Sequence, residues 1–160
     1  EDVAHLRVRE QAREPYNRGL VMAENGSYLD AIQQFQTSLE IDPGFVAARY
    51  NLGVTFQKLK SYEKALGEFK KVVRERPDVP EYHFAMGNSY FYLGRYDDAA
   101  DAFEDVVERD RYHKKAQYSL AVCYEKMDER EKAKRAWQRY LEIDSDSVWA
   151  TEARKRLADL

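Results

Sequence analysis

The chain has 160 residues, of which 44% are hydrophobic and 34% are charged, and its formal net charge is −3. This charge lacks the basic excess needed to bind nucleic-acid phosphates, and no apolar run approaches the ~20 residues that cross a membrane. We therefore expect no nucleic-acid partner and no membrane insertion, and both the cytoplasm and the periplasm are compatible with the sequence. The single cysteine, Cys123, excludes an internal disulfide and a metal cage built from cysteines.

Equivalent residues recur every 34 residues, which is the spacing from Gly19 to Gly53 and from Gly53 to Gly87. Three columns of the repeat hold a small residue, an alanine and a large aromatic residue: Gly19, Gly53, Gly87 and Ala121; Ala31, Ala65, Ala99 and Ala133; Phe35, Phe69, Phe103 and Trp137. This period divides the chain into four repeats at residues 12–45, 46–79, 80–113 and 114–147.

Residues 1–11 precede the first repeat and allow two interpretations. Leu6 and Val8 match the spacing of the apolar residues that close later repeats. This match favours the tail of a helix from a preceding repeat, with a break just before Pro15. The alternative is one long N-terminal helix that is kinked at Pro15. If the first interpretation holds, the chain is a segment of a longer array.

Each repeat contains two apolar-periodic stretches separated by a short polar turn, which predicts two antiparallel helices. In the second repeat the helices are predicted over 47–59 and 62–74, with the turn at 60–61. Gly26 and Gly94 occupy the turn in the first and third repeats, where glycine adopts the left-handed conformation at little cost. The glycines of the small-residue column instead lie within helices. We expect them to let the aromatic residue of the second helix approach the backbone closely.

Residues 148–160 follow the last repeat. They carry Val148, Trp149 and Leu157 at helical spacing on an otherwise charged segment, and no second helix follows. A terminal repeat needs such a helix to shield its apolar side from water. We therefore predict a C-terminal capping helix over these residues.

The period and its small and aromatic columns, with Pro43 and Pro77 closing the first two repeats, resemble the tetratricopeptide repeat family over about residues 12 to 145. The resemblance implies an all-α fold, a right-handed superhelical array of antiparallel helix pairs with four repeats and a capping helix. It also implies a binding surface on the concave wall that the first helices of the repeats form.

Catalytic and metal-binding patterns are missing from the sequence. His5, His83 and His113 do not have the spacing of a helix-borne zinc site, and the isolated glycines do not form a phosphate-binding loop. Cys123 has no neighbouring base in the repeat register, so we interpret it as a small buried apolar residue. We expect a protein without enzymatic activity, without a cofactor and without a metal.

The second helix of the third repeat carries six carboxylates: Asp97, Asp98, Asp101, Glu104, Asp105 and Glu108. The resemblance implies that this helix faces the outer, convex side. We expect its acids to form ion pairs with basic residues of the neighbouring second helices, such as Lys71, Lys132 and Arg139. The alternative is an electrostatic ridge on which a basic partner docks.

Four aromatic residues, here called the aromatic row, recur at the full period on the first helices: Tyr16, Tyr50, Phe84 and Tyr118. A second, mostly aliphatic row lies one helical turn further on: Leu20, Val54, Asn88 and Val122. The packing positions of the same helices are already occupied by other large residues: Met22, Phe56, Tyr90 and Tyr124. We therefore interpret the aromatic row as lining an exposed concave groove. The alternative is partial burial between repeats or beneath an extra helix.

A strip of aromatic and aliphatic side chains is typical of a protein-interaction surface. The sequence thus predicts an adaptor or scaffold that binds a peptide or helical segment of a partner protein in this groove. Asn51, beside the aromatic row, is suited to bond either the main chain of such a peptide or a neighbouring helix. The predicted partner-binding residues are Tyr16, Leu20, Tyr50, Asn51, Val54, Phe84, Asn88, Phe91, Tyr118 and Val122.

Two other functions remain as alternatives: a scaffold that self-associates, and a non-catalytic repeat domain of a larger protein or of a secretion or assembly machine. One well-known class of ligand is disfavoured. Tetratricopeptide co-chaperones that hold the acidic C-terminal tail of cytosolic chaperones use Lys and Asn on the first opening helix, Asn on the second, and Lys and Arg on the third. This chain matches only the middle position, with Asn51, and has Tyr16, Leu20, Glu81 and Ala85 at the others. The pattern argues against a carboxylate clamp for a chaperone tail.

Overall fold

The computed structural model describes residues 3–160, and the side chain of His5 lies outside the described part, together with any prediction made for it. Over this range the chain forms nine α-helices and no strand, so the prediction of an all-α fold is confirmed. None of these helices is both long and apolar enough to cross a membrane. Its contacts divide the chain into two compact units, Glu1–Pro77 and Asp78–Leu160.

The first unit holds the first two repeats as two antiparallel helix pairs. Its helices are α1 (Val3–Glu24), α2 (Tyr28–Ile41), α3 (Val46–Lys58) and α4 (Tyr62–Glu75). Helix α1 packs on α2, α3 packs on α4, and α2 joins the two pairs by packing on α3. The bounds of α3 and α4 lie within one residue of those predicted for the second repeat.

The second unit holds the last two repeats and one additional helix. Its helices are α5 (Pro80–Tyr92), α6 (Tyr96–Arg109), α7 (Lys114–Lys126), α8 (Arg130–Ile143) and α9 (Val148–Asp159). Helices α5 and α6 form one pair, α7 and α8 form the next, and α6 packs on α7. Helix α9 packs on α8, where the following repeat would otherwise begin.

The helical glycines bring two helices of one repeat into close contact, as the sequence predicted. A Cβ atom on Gly53 would lie 2.6 Å from Cε1 of Phe69, and one on Gly87 would lie 2.7 Å from Cε1 of Phe103. Both rings are fully buried. A side chain at these positions would overlap the ring, so the ~1 kcal/mol that glycine costs in a helix is offset by the packing that it permits.

The turn within each repeat ends the first helix with one residue in the left-handed conformation. Gly26 and Gly94 have φ values of 79° and 74°, which confirms their predicted place. Lys60 and Asp128 adopt the same conformation in the other two repeats, with φ values of 58° and 59°. The conformation costs a residue with a side chain roughly 1–2 kcal/mol, so the turn geometry is imposed by the packing of the repeat rather than by glycine.

The N-terminal region differs from the interpretation favoured by the sequence. Helix α1 runs without a break from Val3 to Glu24 and contains Pro15, so the predicted break before the first repeat is wrong and the continuous helix is present. Pro15 cannot donate a backbone hydrogen bond, which usually interrupts a helix. Here Pro15 is buried, and Oγ of Ser38 on α2 donates to the carbonyl of Ala12 at 2.8 Å. Packing against α2 thus holds the helix together through the proline.

Helix α9 is attached to the last repeat by buried small residues and by a charged network. Ala150 and Ala153 are fully buried. Arg156 donates to Glu125 on α7 at 2.9 Å, and Nε1 of Trp137 on α8 donates to the same carboxylate at 2.6 Å. The network covers the edge of the Trp137 indole, although the capping role itself stays a prediction.

Candidate functional site

The aromatic row is half-buried in both units, and each ring rests on the large aromatic residue of its own repeat. The ring centroids lie 6.0 Å apart for Tyr16 and Phe35, 5.8 Å for Tyr50 and Phe69, 5.6 Å for Phe84 and Phe103, and 4.8 Å for Tyr118 and Trp137. The premise that this row has no packing duty is therefore wrong. The first helix of each repeat turns both its aromatic-row residue and its other large packing residue toward the core. A large ring is wide enough to contact residues at both positions.

In the first unit, the aromatic row is tied into the fold. The ring of Phe45, at the start of α3, lies 4.8 Å from that of Tyr16. Nδ2 of Asn51 donates to the Tyr16 hydroxyl at 3.3 Å and to the carbonyl of Ala47 at 2.9 Å. Leu20 packs against the core beside Phe35. Of the two roles considered for Asn51, the structure shows the bond to a neighbouring helix.

In the second unit, two members of the aromatic row line a cavity of about 480 Å³, here called the aromatic pocket. Its walls come from all the helices of the unit except α6. The lining residues are Phe84, Lys114, Lys115, Tyr118, Ser119, Tyr140, Asp144 and Trp149. Pockets of ~300–1,000 Å³ with apolar walls and a few polar groups are typical binding sites.

The rings of the aromatic pocket meet edge to face around Tyr118. The Tyr118 centroid lies 5.3 Å from that of Tyr140 and 5.4 Å from that of Trp149, at interplanar angles of 78° and 79°. Such pairs stabilise one another beyond their buried area. Burial raises the pKa of Tyr118, so its hydroxyl stays neutral over the physiological range. Phe84 forms the opposite wall and rests on His113 at 4.9 Å.

Asp144, at the C-terminal end of α8, is the carboxylate of the aromatic pocket. The Ser147 hydroxyl donates to its Oδ2 at 2.6 Å and the Tyr140 hydroxyl at 2.8 Å. These bonds lower the pKa of Asp144, which is therefore ionised at neutral pH. Burial and the bond to Asp144 raise the pKa of Tyr140 to about 12. Nζ of Lys114 lies 3.9 Å from Oδ1 and balances the charge.

The other predicted partner-binding residues do not line the aromatic pocket. Tyr50 and Val54 are half-buried on α3, and Asn88 and Val122 are half-buried on α5 and α7. Phe91 packs among its neighbours, with its ring 5.3 Å from that of Tyr96 and 5.9 Å from that of Tyr92. A partner-binding role for Phe91 therefore stays a prediction.

Several pocket residues were not predicted from the sequence. The repeat pattern places Trp149 only in the predicted capping helix, and it does not single out Tyr140, Lys114, Lys115 or Ser119. One signal was available for Trp149, because it lies one period after Lys115 on the helix that follows the last repeat. Applying the repeat register to the capping helix would have placed this indole beside the aromatic row.

The acidic helix α6 forms its contacts differently from the prediction. Within the second unit its acids pair with their own helix end and with the first helices: Asp98 with Arg95 at 2.7 Å, and Asp105 with Arg109 and with buried His83, both at 3.3 Å. Glu104 accepts a hydrogen bond from Tyr124. The predicted bridges from α6 to Lys132 and Arg139 are wrong, because Lys132 pairs with Glu129, just before α8, and Arg139 pairs with Glu142 on α8. Partial burial and the surrounding acids raise the pKa of Asp101.

Cys123 and His113, two of the side chains that could act in catalysis, are instead part of the packing and capping of the fold. Cys123 is fully buried, and burial raises the pKa of its thiol to about 12, so the reactive thiolate is not populated at neutral pH. Nδ1 of His113 accepts from the Ala116 amide at 3.1 Å and caps α7. Among the described residues, no group of three or more histidine, cysteine or acidic side chains is arranged to hold a metal ion.

Comparison with known proteins identifies the repeat. Two sequence profiles of the tetratricopeptide repeat match residues 22–88 and 84–148. This chain belongs to the tetratricopeptide repeat family. The family and its fold are known as non-catalytic interaction modules. A search of curated protein sequences gave no match.

Solved structures of other tetratricopeptide proteins share the fold. MamA, known from a crystal structure, is similar to this chain at 24% sequence identity and a TM-score of 0.81. The matched region covers 88% of this chain and 86% of the MamA chain. A MamA fragment from Desulfovibrio magneticus RS-1 is 23% identical, with 85% and 78% covered and a TM-score of 0.80. YrrB, described as a TPR protein with an unusual peptide-binding site, is 28% identical, with 90% and 74% covered and a TM-score of 0.83.

Proposed function

We propose that this chain is a protein-interaction module that anchors a peptide or helical segment of a partner protein in the aromatic pocket. The observation that carries the proposal is the open cavity of about 480 Å³, walled by Phe84, Tyr118 and Trp149. Family membership supports an interaction role, and the peptide-binding site attributed to YrrB supports a peptide as the ligand.

The exposure of Trp149 supports the same role. Trp149 is 62% exposed, at the start of a helix whose solvent-facing side is mostly charged. An exposed indole beside an apolar cavity adds contact area that the fold does not use, and tryptophan is among the residues that contribute most to binding energy. The indole therefore forms the part of the wall that a ligand would cover.

The remaining walls are held in place before a ligand arrives. Tyr140 is almost fully buried and bonded to Asp144, and Tyr118 is packed against Trp137 and Tyr140. A preformed wall costs little conformational entropy on binding. A role in binding alone agrees with the non-catalytic interaction modules of this family. The concave groove along all four repeats and self-association of the chain stay predictions.

A displayed library of random linear peptides, selected on the full chain, tests the proposal. We expect the selected peptides to bind at least about tenfold more weakly to Trp149→Ala, because a central aromatic anchor is worth ~2 kcal/mol or more. Fluorescence anisotropy with labelled peptides measures the affinity.

Tyr112→Ala is the matched control, since Tyr112 is an equally exposed aromatic residue of the same unit, at 66%, outside the pocket. Equal losses in the two variants, or full binding to Trp149→Ala, would contradict the proposal.

A further inference from the structure

The charges at the rim of the aromatic pocket indicate which peptides it selects. Lys114, Lys115 and Asp144 are the ionised groups that line it. Asp144 and Lys114 balance one another, at 3.9 Å. Lys115 is exposed, and none of the residues that the structure describes forms an ion pair with it. The rim therefore carries one uncompensated positive charge next to apolar walls.

A cationic ligand is disfavoured by the same contacts. Aromatic walls attract cations, but here the uncompensated ammonium group of Lys115 repels them. The carboxylate that would attract a cation already accepts hydrogen bonds from Ser147 and Tyr140. An anionic group finds the opposite situation, because Lys115 is available to it without breaking a bond within the chain.

We propose that the aromatic pocket takes a linear peptide segment in which a large apolar side chain stands next to an aspartate or glutamate. The apolar side chain enters between Phe84, Tyr118 and Trp149, and the neighbouring carboxylate pairs with Lys115. This inference rests on the proposed function and adds to it the chemistry of the partner. It differs from a carboxylate clamp in two ways. The apolar side chain of the peptide fills the pocket, and the carboxylate belongs to a side chain rather than to a C-terminus.

Three synthetic peptides in one glycine-serine host sequence test the proposal on the full chain. All are amidated at the C-terminus, so that carboxylates come only from side chains. The first has phenylalanine followed by two glutamates, the second has phenylalanine followed by two lysines, and the third has serine followed by two glutamates. We expect the first to bind about tenfold more tightly than the second, with a difference that shrinks as salt is added. The third should not bind measurably.

Lys115→Glu and Lys126→Glu form a matched pair of charge reversals on α7. Both lysines are exposed, and they lie eleven positions apart on the helix, about 16 Å along its axis. This distance exceeds the Debye length of about 8 Å at physiological salt, so the charge at position 126 has little effect at the pocket. Lys115→Glu should remove the preference for glutamate or reverse it, while Lys126→Glu should leave it unchanged.

The outcomes separate this inference from the function on which it rests. Equal binding of both phenylalanine peptides, unaltered by Lys115→Glu, would overturn the acidic preference and leave the pocket as a peptide site. Equal binding of the serine and phenylalanine peptides with glutamates would overturn the apolar anchor. If no phenylalanine peptide binds and the displayed library also yields none, the proposed function itself fails.

Discussion

The two units of this protein contain the same repeat but use one pair of positions in opposite ways. In the first unit, Asn51 donates to the Tyr16 hydroxyl and bridges two first helices. Two periods later the same positions hold Ser119 and Phe84, which line the aromatic pocket. Phenylalanine has no hydroxyl and serine has a short side chain, so this bridge cannot form. The repeat thus sets where a residue lies, and the neighbouring residues of the next helix decide whether it bridges two helices or lines a pocket.

Core substitutions should destabilise the two units equally, and these substitutions have the largest predicted effects on stability. Phe69→Ala in the first unit and Phe103→Ala in the second should each lower the free energy of unfolding by ~3–5 kcal/mol, because both rings are fully buried against a glycine. Urea titration followed by circular dichroism measures this. A loss below ~1 kcal/mol in one unit only would show that the repeats are not built alike.

A pair of glycines in the first unit separates close packing from helix propensity. Gly53→Ala should destabilise the fold by ~1–3 kcal/mol, because the new Cβ would lie 2.6 Å from Phe69. Gly67→Ala should stabilise it by ~0.5–1 kcal/mol, because no atom lies within 4 Å of the new Cβ and alanine favours a helix. The two unfolding free energies should move in opposite directions. A stabilising Gly53→Ala would disprove the role of the contact.

The opposed use of the bridging positions can be tested by copying one unit into the other. The double variant Phe84→Tyr with Ser119→Asn recreates the pair found at Tyr16 and Asn51. We expect peptide binding to weaken about tenfold, equivalent to ~1.4 kcal/mol, because the new bridge would cross the pocket. Stability should change by less than ~1 kcal/mol, since one partly exposed hydrogen bond is gained. Binding and melting measurements on one preparation check both, and unchanged affinity would contradict the comparison.

The smallest predicted effect concerns the acidic helix of the second unit. Because the pKa of Asp101 is raised in the folded state, its negative charge destabilises the fold at neutral pH. Asp101→Asn should therefore stabilise the protein by about 0.3 kcal/mol at pH 7, a value kept small by solvent screening. The advantage should fade as the pH drops through the raised pKa and vanish below the ordinary value of 3.8, where the aspartate is protonated in both states. A constant difference across this range would exclude an electrostatic cause.

The sequence predicted those features that every repeat must satisfy. The contacts of Gly53 with Phe69 and of Gly87 with Phe103 recur because each helix pair needs them, so the period reveals them. The continuity of α1 through Pro15 was not predictable from the period, since it depends on packing against α2. The aromatic pocket was predicted only in part. Phe84 and Tyr118 recur, whereas Trp149 and Lys115 are specific to one end of the chain and acquire their roles from tertiary neighbours.

The indole signals of the two tryptophans, Trp137 and Trp149, in proton–nitrogen NMR spectra show directly whether a peptide binds to the second unit. Trp137 is fully buried and donates to Glu125, whereas Trp149 is exposed on the wall of the pocket. Titration with a selected peptide should shift the Trp149 indole and the amides of Lys115 and Ser119, and leave the Trp137 indole in place. Shifts confined to the first unit around Asn51, or to α6, would contradict the claim that the second unit holds the binding site.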